Sequence, residues 1–315
     1  MKTLFLLLWL AALPALAQVT VHEYPVSRGH RVHDVWADAS PNGPVWISAQ
    51  GSGNLGILDP KSGKIDFVPL GRGSSPHGVV AGADGAPWLT DGGQNAIVRV
   101  DPKTRAVKVF PLPEGWGYTN LNTAIFDAKG IHWFTGQSGI YGRLDPKSGE
   151  MKVFEAPKGR GPYGIHATPD GTVYFASLGG SYIGRIEGDT VKVIEPPTKS
   201  QGARRVWSDS KGNIWVAEWN SGNLSRYEPK SGKWSAWRAP GEDPHVYAVY
   251  VDETDKVWAS EWTAQVMLRF DPATGKFESF KSSSSRPNVR QIHGRKGEVW
   301  TPESGADKIV VYRYR

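Results

Sequence analysis

Cysteine is absent from this chain of 315 residues. Without cysteine, no disulfide framework and no Cys/His zinc spacing is possible, so stability must come from packing. Several catalytic signatures are missing as well: the sequence contains no Gly-x-Ser-x-Gly elbow, no phosphate-binding loop and no dinucleotide fingerprint. These absences argue against the corresponding chemistries.

Clustered charge of one sign is also absent. The net charge is +6, but the basic residues are spread along the chain. Several of them repeat in similar turns: Lys61, Lys103, Lys147 and Lys230. Nucleic-acid recognition needs clustered basic residues in a known module. We therefore interpret these lysines as solvated turn tips and expect no nucleic-acid partner.

A long hydrophobic run occurs at the start of the chain. Met1 and Lys2 give a positive start, residues 4–13 are apolar, and Ala15-Leu16-Ala17 forms a small-x-small cleavage site. This pattern predicts a signal peptide at residues 1–17, cut after Ala17, and a periplasmic or secreted protein with no membrane insertion after cleavage. An uncleaved anchor is the alternative. No cysteine lies near the cleavage site, which excludes lipid attachment there.

What the sequence does contain is a repeat. A hydrophobic run ends on an aromatic residue about every 42 residues. The seven positions are Trp46, Trp88, Trp133, Tyr174, Trp215, Trp258 and Trp300. Asp-Pro-Lys-Ser-Gly hairpins follow some of them, as at residues 59–63 and 145–149. Short strands and turns with this period are typical of β-propeller blades. We predict an all-β fold in residues 18–315, a single seven-bladed β-propeller with four-stranded antiparallel blades.

The first and last strands of this propeller are expected to pair. The last repeat ends with a third strand at residues 308–314, and residues 19–26 resemble the fourth strands of other repeats. The N-terminal strand should therefore complete the last blade and remove its exposed edge. We expect the closed ring to be a monomer. Most of the repeated tryptophans are interpreted as packing between blades.

Polar residues recur where each inner strand should start and where each second strand should end. These two positions meet on one face, because the two strands are antiparallel. The predicted starts are His33, His77, Asn122, Tyr163, Arg204, Tyr247 and Arg290. We therefore predict a polar site at the mouth of the central channel. Its candidate substrate-binding residues are His33, Asp91, Tyr163, Arg204, Tyr247 and Arg290.

Two groups on this face could carry chemistry. His245 and His77 are candidate general bases, because imidazole exchanges a proton near neutral pH. Each could instead be an ordinary hydrogen-bonded polar residue. Glu218, Glu261 and Glu303, on successive blades, could hold Mg²⁺ or Ca²⁺ through oxygen ligands. They could equally pair with nearby arginines and stiffen the rim. Three other histidines are interpreted as structural: His22, His132 and His166.

The repeat phrase of the second blade resembles a known family. It reads Pro-His-Gly-Val at residues 76–79, Trp-Leu-Thr-Asp at 88–91 and Arg-Val at 99–100. These residues resemble the repeats of the virginiamycin B lyase (streptogramin lyase) family, and the likeness runs through all seven repeats. The resemblance implies a lyase that opens the ester of a cyclic depsipeptide by elimination. It also implies a histidine base and a Mg²⁺ ion held by glutamates.

The resemblance can be carried over to individual residues. Pro244-His245 corresponds to the substrate-side histidine of the sixth repeat, with Tyr247 as the alternative, and Glu303 approximates a family glutamate. The Glu-Pro-His that supplies one metal ligand and the base falls on Arg286-Pro287-Asn288. A small-molecule ligand, either a cyclic ester or an anionic compound, is expected. The alternative is a non-catalytic propeller that binds a ligand or a protein on the same rim, which the arginines favour.

Overall fold

The computed structural model describes residues 19–315, which form 28 strands in seven four-stranded antiparallel sheets. This confirms the predicted all-β, seven-bladed propeller. The predicted signal peptide at residues 1–17 lies outside the described residues. Within residues 19–315, no helix has the length and apolar character needed to cross a membrane.

The strands follow the chain from the centre of each blade outwards. Blade 1 contains β2 (Val32–Ala37), β3 (Val45–Ala49), β4 (Asn54–Leu58) and β5 (Ile65–Pro69). Blade 2 contains β6 (Pro76–Ala81), β7 (Pro87–Asp91), β8 (Ala96–Val100) and β9 (Val107–Pro111). Blade 3 contains β10 (Leu121–Phe126), β11 (His132–Gly136), β12 (Ile140–Leu144) and β13 (Met151–Glu155). Blade 4 contains β14 (Pro162–Ala167), β15 (Val173–Ser177), β16 (Tyr182–Glu187) and β17 (Thr190–Ile194).

The remaining blades follow the same order, except at the ring closure. Blade 5 contains β18 (Ala203–Ser208), β19 (Ile214–Glu218), β20 (Asn223–Glu228) and β21 (Lys233–Arg238). Blade 6 contains β22 (Val246–Val251), β23 (Val257–Glu261), β24 (Val266–Asp271) and β25 (Lys276–Lys281). Blade 7 contains β26 (His293–Arg295), β27 (Glu298–Glu303), β28 (Lys308–Arg313) and, as its outermost strand, β1 (Thr20–Pro25).

The N-terminal strand closes the ring as predicted. Strand β1 pairs antiparallel with β28 along its whole length, from Thr20 opposite Arg313 to Pro25 opposite Lys308. The ring of Tyr24 packs on that of Trp300, with centroids 5.6 Å apart. The Tyr24 hydroxyl donates a hydrogen bond of 3.0 Å to the carbonyl of Pro60 in blade 1. The closing strand therefore contacts both neighbouring blades.

The repeated aromatic residues are buried between blades, which agrees with the interpretation of core packing. The Trp215 ring lies 5.4 Å from that of Trp237 in the fourth strand of the same blade. Its indole N–H donates to the Asp209 carboxylate at 3.1 Å. Trp258 makes the same bond to Asp252 at 2.8 Å. These two indoles thus bury a large apolar surface while the polar atom of each is satisfied by the turn below it.

A bulge in the inner strands positions the site. In blades 1–6 the register between the first and second strands shifts after the first pair of residues. Blade 7 keeps the first pair as an isolated bridge between Val289 and Glu303. A bulge adds one residue to one strand and redirects its side chains. Two successive residues of each inner strand therefore line the channel near its mouth.

Hydroxyl groups on the second strands of blades 1–3 link the bulge to the next blade. The Ser48 hydroxyl accepts a bond from the N–H of Asp34 at 2.8 Å and donates to the carbonyl of His77. Thr90 makes the equivalent pair of bonds to Gly78 and Asn122. Because a bulge leaves backbone groups unpaired, these hydroxyls supply the missing partners. They also fix the inner strands of blades 1–4 relative to one another.

Candidate functional site

The seven residues predicted at the inner-strand starts occupy equivalent positions around the channel. Each follows the residue that pairs with the end of the second strand, as Pro76 pairs with Asp91 and Ala203 with Glu218. We call this set the upper ring. It consists of His33, His77, Asn122, Tyr163, Arg204, Tyr247 and Arg290.

Direct contacts show that the upper ring converges. The Tyr163 and Tyr247 hydroxyls lie 2.9 Å apart, although the residues belong to blades 4 and 6. Arg204 donates to the Tyr163 hydroxyl at 3.0 Å, and Arg290 to the Tyr247 hydroxyl at 3.3 Å. On the other side, the His33 and His77 ring centroids are 3.9 Å apart. The structure thus brings together six of the predicted side chains.

A buried ion pair crosses the channel directly beneath the upper ring. Arg205 approaches the Asp34 carboxylate at 3.4 Å and donates to the Thr123 hydroxyl at 2.8 Å, so it joins blades 5, 1 and 3. Asp34 is also bonded to the ring of His33 at 2.7 Å. Burial raises the pKa of Asp34 in spite of the attraction of Arg205. Asp34 and Thr123 were not predicted as site residues. The residue that follows an upper-ring residue faces the channel only because of the bulge, which a regular alternation of strand residues does not indicate.

Gly164 permits this crossing. It lies beside Arg205 on the adjacent inner strand, and a Cβ atom there would lie 2.6 Å from the Arg205 Cα. Any side chain would therefore push the two strands apart. The small residue keeps the Arg205 side chain at the level of Asp34.

The two histidines of the upper ring are buried. Burial, and then the charges of Arg290 and Arg205, lower the pKa of His33 well below its usual value. Burial, and then His33, do the same for His77. His77 contacts Asn122 at 3.2 Å through Nε2, and its Nδ1 has no hydrogen-bond partner. Both rings are therefore neutral near pH 7, and His77 has little access to a ligand outside.

His245, the other predicted base, lies at the rim and is half-buried. Its backbone N–H donates to Glu261 at 2.8 Å, and its Nδ1 lies 2.9 Å from the Thr263 hydroxyl. The imidazole ring lies 4.9 Å from that of Trp219. Of the two predicted bases, His245 is the one that a ligand at the mouth can contact.

Two half-buried arginines of the upper ring are held by aromatic rings. The Arg204 guanidinium lies 3.9 Å from the ring centroid of Tyr247 and 4.3 Å from that of Trp219. Arg290 lies 4.9 Å from the Trp262 ring. These are cation–π distances, at which the ring faces stabilise the cation. The faces of the guanidinium groups are used in this way, whereas part of their N–H edges is not.

The two tyrosines between these arginines differ in acidity. Burial opposes the ionisation of Tyr247, but the charges of Arg204, Arg205 and Arg290 outweigh it and lower its pKa to about 8. Burial and then Tyr247 raise the pKa of Tyr163 to about 12. Of this hydrogen-bonded pair, Tyr247 therefore loses its proton first.

The predicted carboxylates are buried and engaged within their own loops. Asp91 accepts backbone bonds from Ser75 at 2.9 Å and from two residues of the following turn. Glu218 is bonded to the Ser221 hydroxyl and to Asn223. Glu261 accepts backbone bonds from residues 245, 263 and 264. Glu303 accepts the Ser282 hydroxyl at 2.6 Å.

The lower end of the channel is filled by five aromatic or imidazole rings and two aliphatic side chains. Three residues beyond each upper-ring residue lies a second set, the lower ring: Trp36, Val80, Ile125, His166, Trp207, Tyr250 and His293. His293 stacks on Trp36 with centroids 3.8 Å apart, and His166 on Trp207 at 3.9 Å. Burial lowers the pKa of both histidines to about 3, so both rings are neutral. His166 thus contributes to packing, and the channel ends in an apolar plug.

The donor groups do not suit the Mg²⁺ ion that the family resemblance implies. Among residues 19–315, the group of acidic or imidazole side chains whose ligand atoms come together, within 4.8 Å, is His33, Asp34 and His77, without the three predicted glutamates. Mg²⁺ prefers oxygen ligands in octahedral geometry, and this group offers two nitrogens. Its single carboxylate already faces the Arg205 cation. Glu303 Oε2, which has no hydrogen-bond partner, lies 4.0 Å from the Lys308 ammonium.

Comparison with known proteins agrees with the fold. The model of the virginiamycin B lyase family matches residues 15–267. A solved streptogramin B lyase structure is 20% identical, with 94% of this chain and 98% of that chain covered and a TM-score of 0.85. Virginiamycin B lyase from Staphylococcus aureus is also 20% identical, with 94% and 99% covered and a TM-score of 0.86. A catalytically inactive variant of that enzyme, with quinupristin, gives the same values. No curated protein sequence matches the chain.

Proposed function

Because this chain belongs to the virginiamycin B lyase family, we propose that the mouth of its channel is a small-molecule site and that its ligand is an anion carrying a ring. The observation that carries the proposal is the pair of half-buried guanidinium groups of Arg204 and Arg290. Among the ion pairs of residues 19–315, neither group has a carboxylate partner. A partly buried cation without a counter-charge is costly, and a bound anion removes that cost.

The charge balance inside the channel supports this proposal. Directly beneath the upper ring, the carboxylate of Asp34 is already paired with Arg205. Arg204 and Arg290 therefore leave an excess positive charge at the mouth. The loops that lead into the inner strands add to this excess. Their basic residues are Arg28, Arg31, Arg72, Lys158, Arg160, Lys199 and Arg286, and their acidic residues are Glu114, Glu195, Glu242 and Asp243.

Free donor groups are available for the anion. Arg204 uses Nη2 for Tyr163, which leaves its other terminal nitrogen, Nη1. Arg290 uses Nε for Ser304 and Nη1 for Tyr247, which leaves Nη2. Because aromatic rings hold both guanidinium groups in place, little side-chain entropy is lost when a ligand binds. Carboxylate and phosphate groups match the planar donor edge of arginine.

Trp219 and Trp262 provide the surface for the ring of the ligand. Both indoles are half-buried, and their centroids lie 5.9 Å apart at an angle of 61°. Each touches one of the two arginines, so an aromatic or sugar-like ring bound through its anionic group would lie against an indole face. This arrangement favours a compound in which the anion is attached directly to the ring.

The proposal can be tested with benzoate and its neutral isostere benzamide. We expect benzoate to raise the melting temperature in a saturable way and benzamide to have no effect. Arg204→Gln and Arg290→Gln should each weaken benzoate binding by about tenfold or more, since a charge-assisted bond contributes about 1.5–3 kcal/mol. Arg143→Gln, far from the mouth, is the control. Equal responses to benzoate and benzamide would contradict the proposal.

Elimination on a cyclic ester is the second candidate, and the position of His245 favours it. This half-buried imidazole lies at the rim beside Trp219. As a base it would take the proton on the carbon next to a carbonyl, and the C–H electron pair would form a C=C bond. The bond from the β carbon to the ester oxygen would then break, and the ester would leave as a carboxylate. That product is an anion of the kind the arginines would hold.

This reaction can be followed by chromatography coupled to mass spectrometry. Elimination opens the ring without a change in mass, whereas hydrolysis adds one water. We expect an isomeric ring-opened product with the parent protein and none with His245→Gln. Intact substrate with both proteins would exclude this candidate but leave the anion-binding proposal standing.

A further inference from the structure

We infer that the mouth of this channel works without a divalent metal ion, and that the Arg290 guanidinium supplies the fixed positive charge there. The ligand part of this inference rests on the proposed function, whereas the metal part does not. It is argued from three features: the residue that replaces a family ligand, the carboxylates that remain, and the position of Arg290.

The first feature is a reversal of charge. The family resemblance implies a glutamate ligand and a histidine base at two positions of the loop before blade 7, where this chain has Arg286 and Asn288. A guanidinium carries five donors and no acceptor, and it does not lose its proton in proteins. Arg286 therefore cannot bind a metal ion, and its charge opposes the approach of one.

The second feature is the state of the remaining carboxylates. Both oxygens of Glu261 accept backbone N–H groups of the loops above it. Glu303 has one oxygen bonded to Ser282 and the other facing Lys308 at 4.0 Å. A metal ion would have to displace these donors and would lie close to the Lys308 ammonium. The backbone N–H groups, Ser282 and Lys308 thus already stabilise the charge of these carboxylates.

The third feature is the fixed position of Arg290. Its Nε donates to the Ser304 hydroxyl at 3.1 Å, which in turn donates to the backbone carbonyl of Asn288 at 2.8 Å. Its Nη1 reaches Tyr247, and its face lies on Trp262. Groups from two blades therefore hold the cation, so it is oriented before any ligand arrives. A permanent charge held in this way stabilises an anionic oxygen without a metal ion.

The experiment combines a metal titration with an anion titration. Chelator-treated protein is titrated with MgCl₂ by calorimetry and by thermal melting, and benzoate is then titrated with and without Mg²⁺. We expect no saturable response to Mg²⁺ and the same benzoate affinity in both conditions. Arg290→Gln should lower that affinity about tenfold, Arg290→Lys should restore part of it, and Arg143→Gln should leave it unchanged. Circular dichroism verifies that each variant is folded.

Each outcome has a defined meaning. A saturable Mg²⁺ response that Glu303→Gln removes would overturn the inference, and so would benzoate binding that requires Mg²⁺. Benzoate binding that persists at full strength in Arg290→Gln would overturn the role of that residue. If benzoate does not bind at all, the proposed function fails, and the Mg²⁺ titration alone decides the metal part.

Discussion

At its upper end the channel is lined by charged and polar side chains, and three residues further along the chain in each blade it is lined by aromatic and imidazole rings together with Val80 and Ile125. Arg204 keeps hydrogen-bond donors without partners, whereas Trp207 belongs to a continuous apolar packing. One backbone arrangement thus carries two kinds of lining. The difference shows that the β-strands of the scaffold set positions, while the residues placed there decide between binding and stability.

We expect the largest loss of stability from a change at Asp34, which lies between the upper ring and the lower ring of the channel. Asp34→Ala removes the counter-charge of the buried Arg205 guanidinium. Breaking a buried pair on one side costs about 3–5 kcal/mol, so the free energy of unfolding in denaturant should fall by about 4 kcal/mol. Adding Arg205→Met to this variant should recover part of the loss. A single variant as stable as the parent would show that the pair contributes nothing.

A change in the lower ring should affect stability but not binding. Trp207→Ala removes a ring that contacts His166, Tyr250 and His293. We expect the free energy of unfolding to fall by about 3 kcal/mol, as for other large-to-small core changes. Benzoate affinity should stay within about twofold of the parent. A large loss of affinity in a folded variant would mean that the plug and the mouth are coupled.

The pH dependence of stability provides a third test, located in the upper ring. Since the folded-state pKa of Tyr247 is lowered from 10 to about 8, its ionisation stabilises the fold fully above pH 10 and ceases to do so as the pH falls through about 8. Compared with Tyr247→Phe, the parent should gain on the order of 2 kcal/mol between pH 8 and 10. Unfolding of both proteins across this range measures the difference, and a constant difference would contradict the assigned shift.

The smallest effect concerns the rim. Trp219→Leu removes the ring face that lies against Arg204. A cation–π contact at such a site contributes about 0.5–1 kcal/mol, so we expect a two- to fivefold loss of benzoate affinity. Trp237→Leu, at a half-buried packing position away from the mouth, is the matched comparison and should leave affinity unchanged. Equal losses in both variants would indicate a general change in packing.

Much of this architecture could be predicted from the sequence, because the same pattern of strands and turns occurs seven times along the chain. The blade order, the closing strand and the members of the upper ring all follow from a regular alternation of strands. The hydrogen bonds of Glu261 could not be predicted. The repeat places this residue at the end of a strand but does not show which backbone N–H groups donate to its carboxylate. The contact of Asp34 with Arg205, which joins blades 1 and 5 across the channel, could not be predicted either.

The closing strand has a consequence for the order of assembly. Blades 1–6 each consist of one continuous stretch of chain, so their hairpins can form as soon as that stretch leaves the ribosome. The seventh sheet must wait, because Thr20 finds its partner only when Arg313 has been synthesised. Until then the first strand made is an unpaired edge, open to pairing with another chain. The step that locks the ring is therefore the last one in time, and the interval before it is when misassembly is most probable.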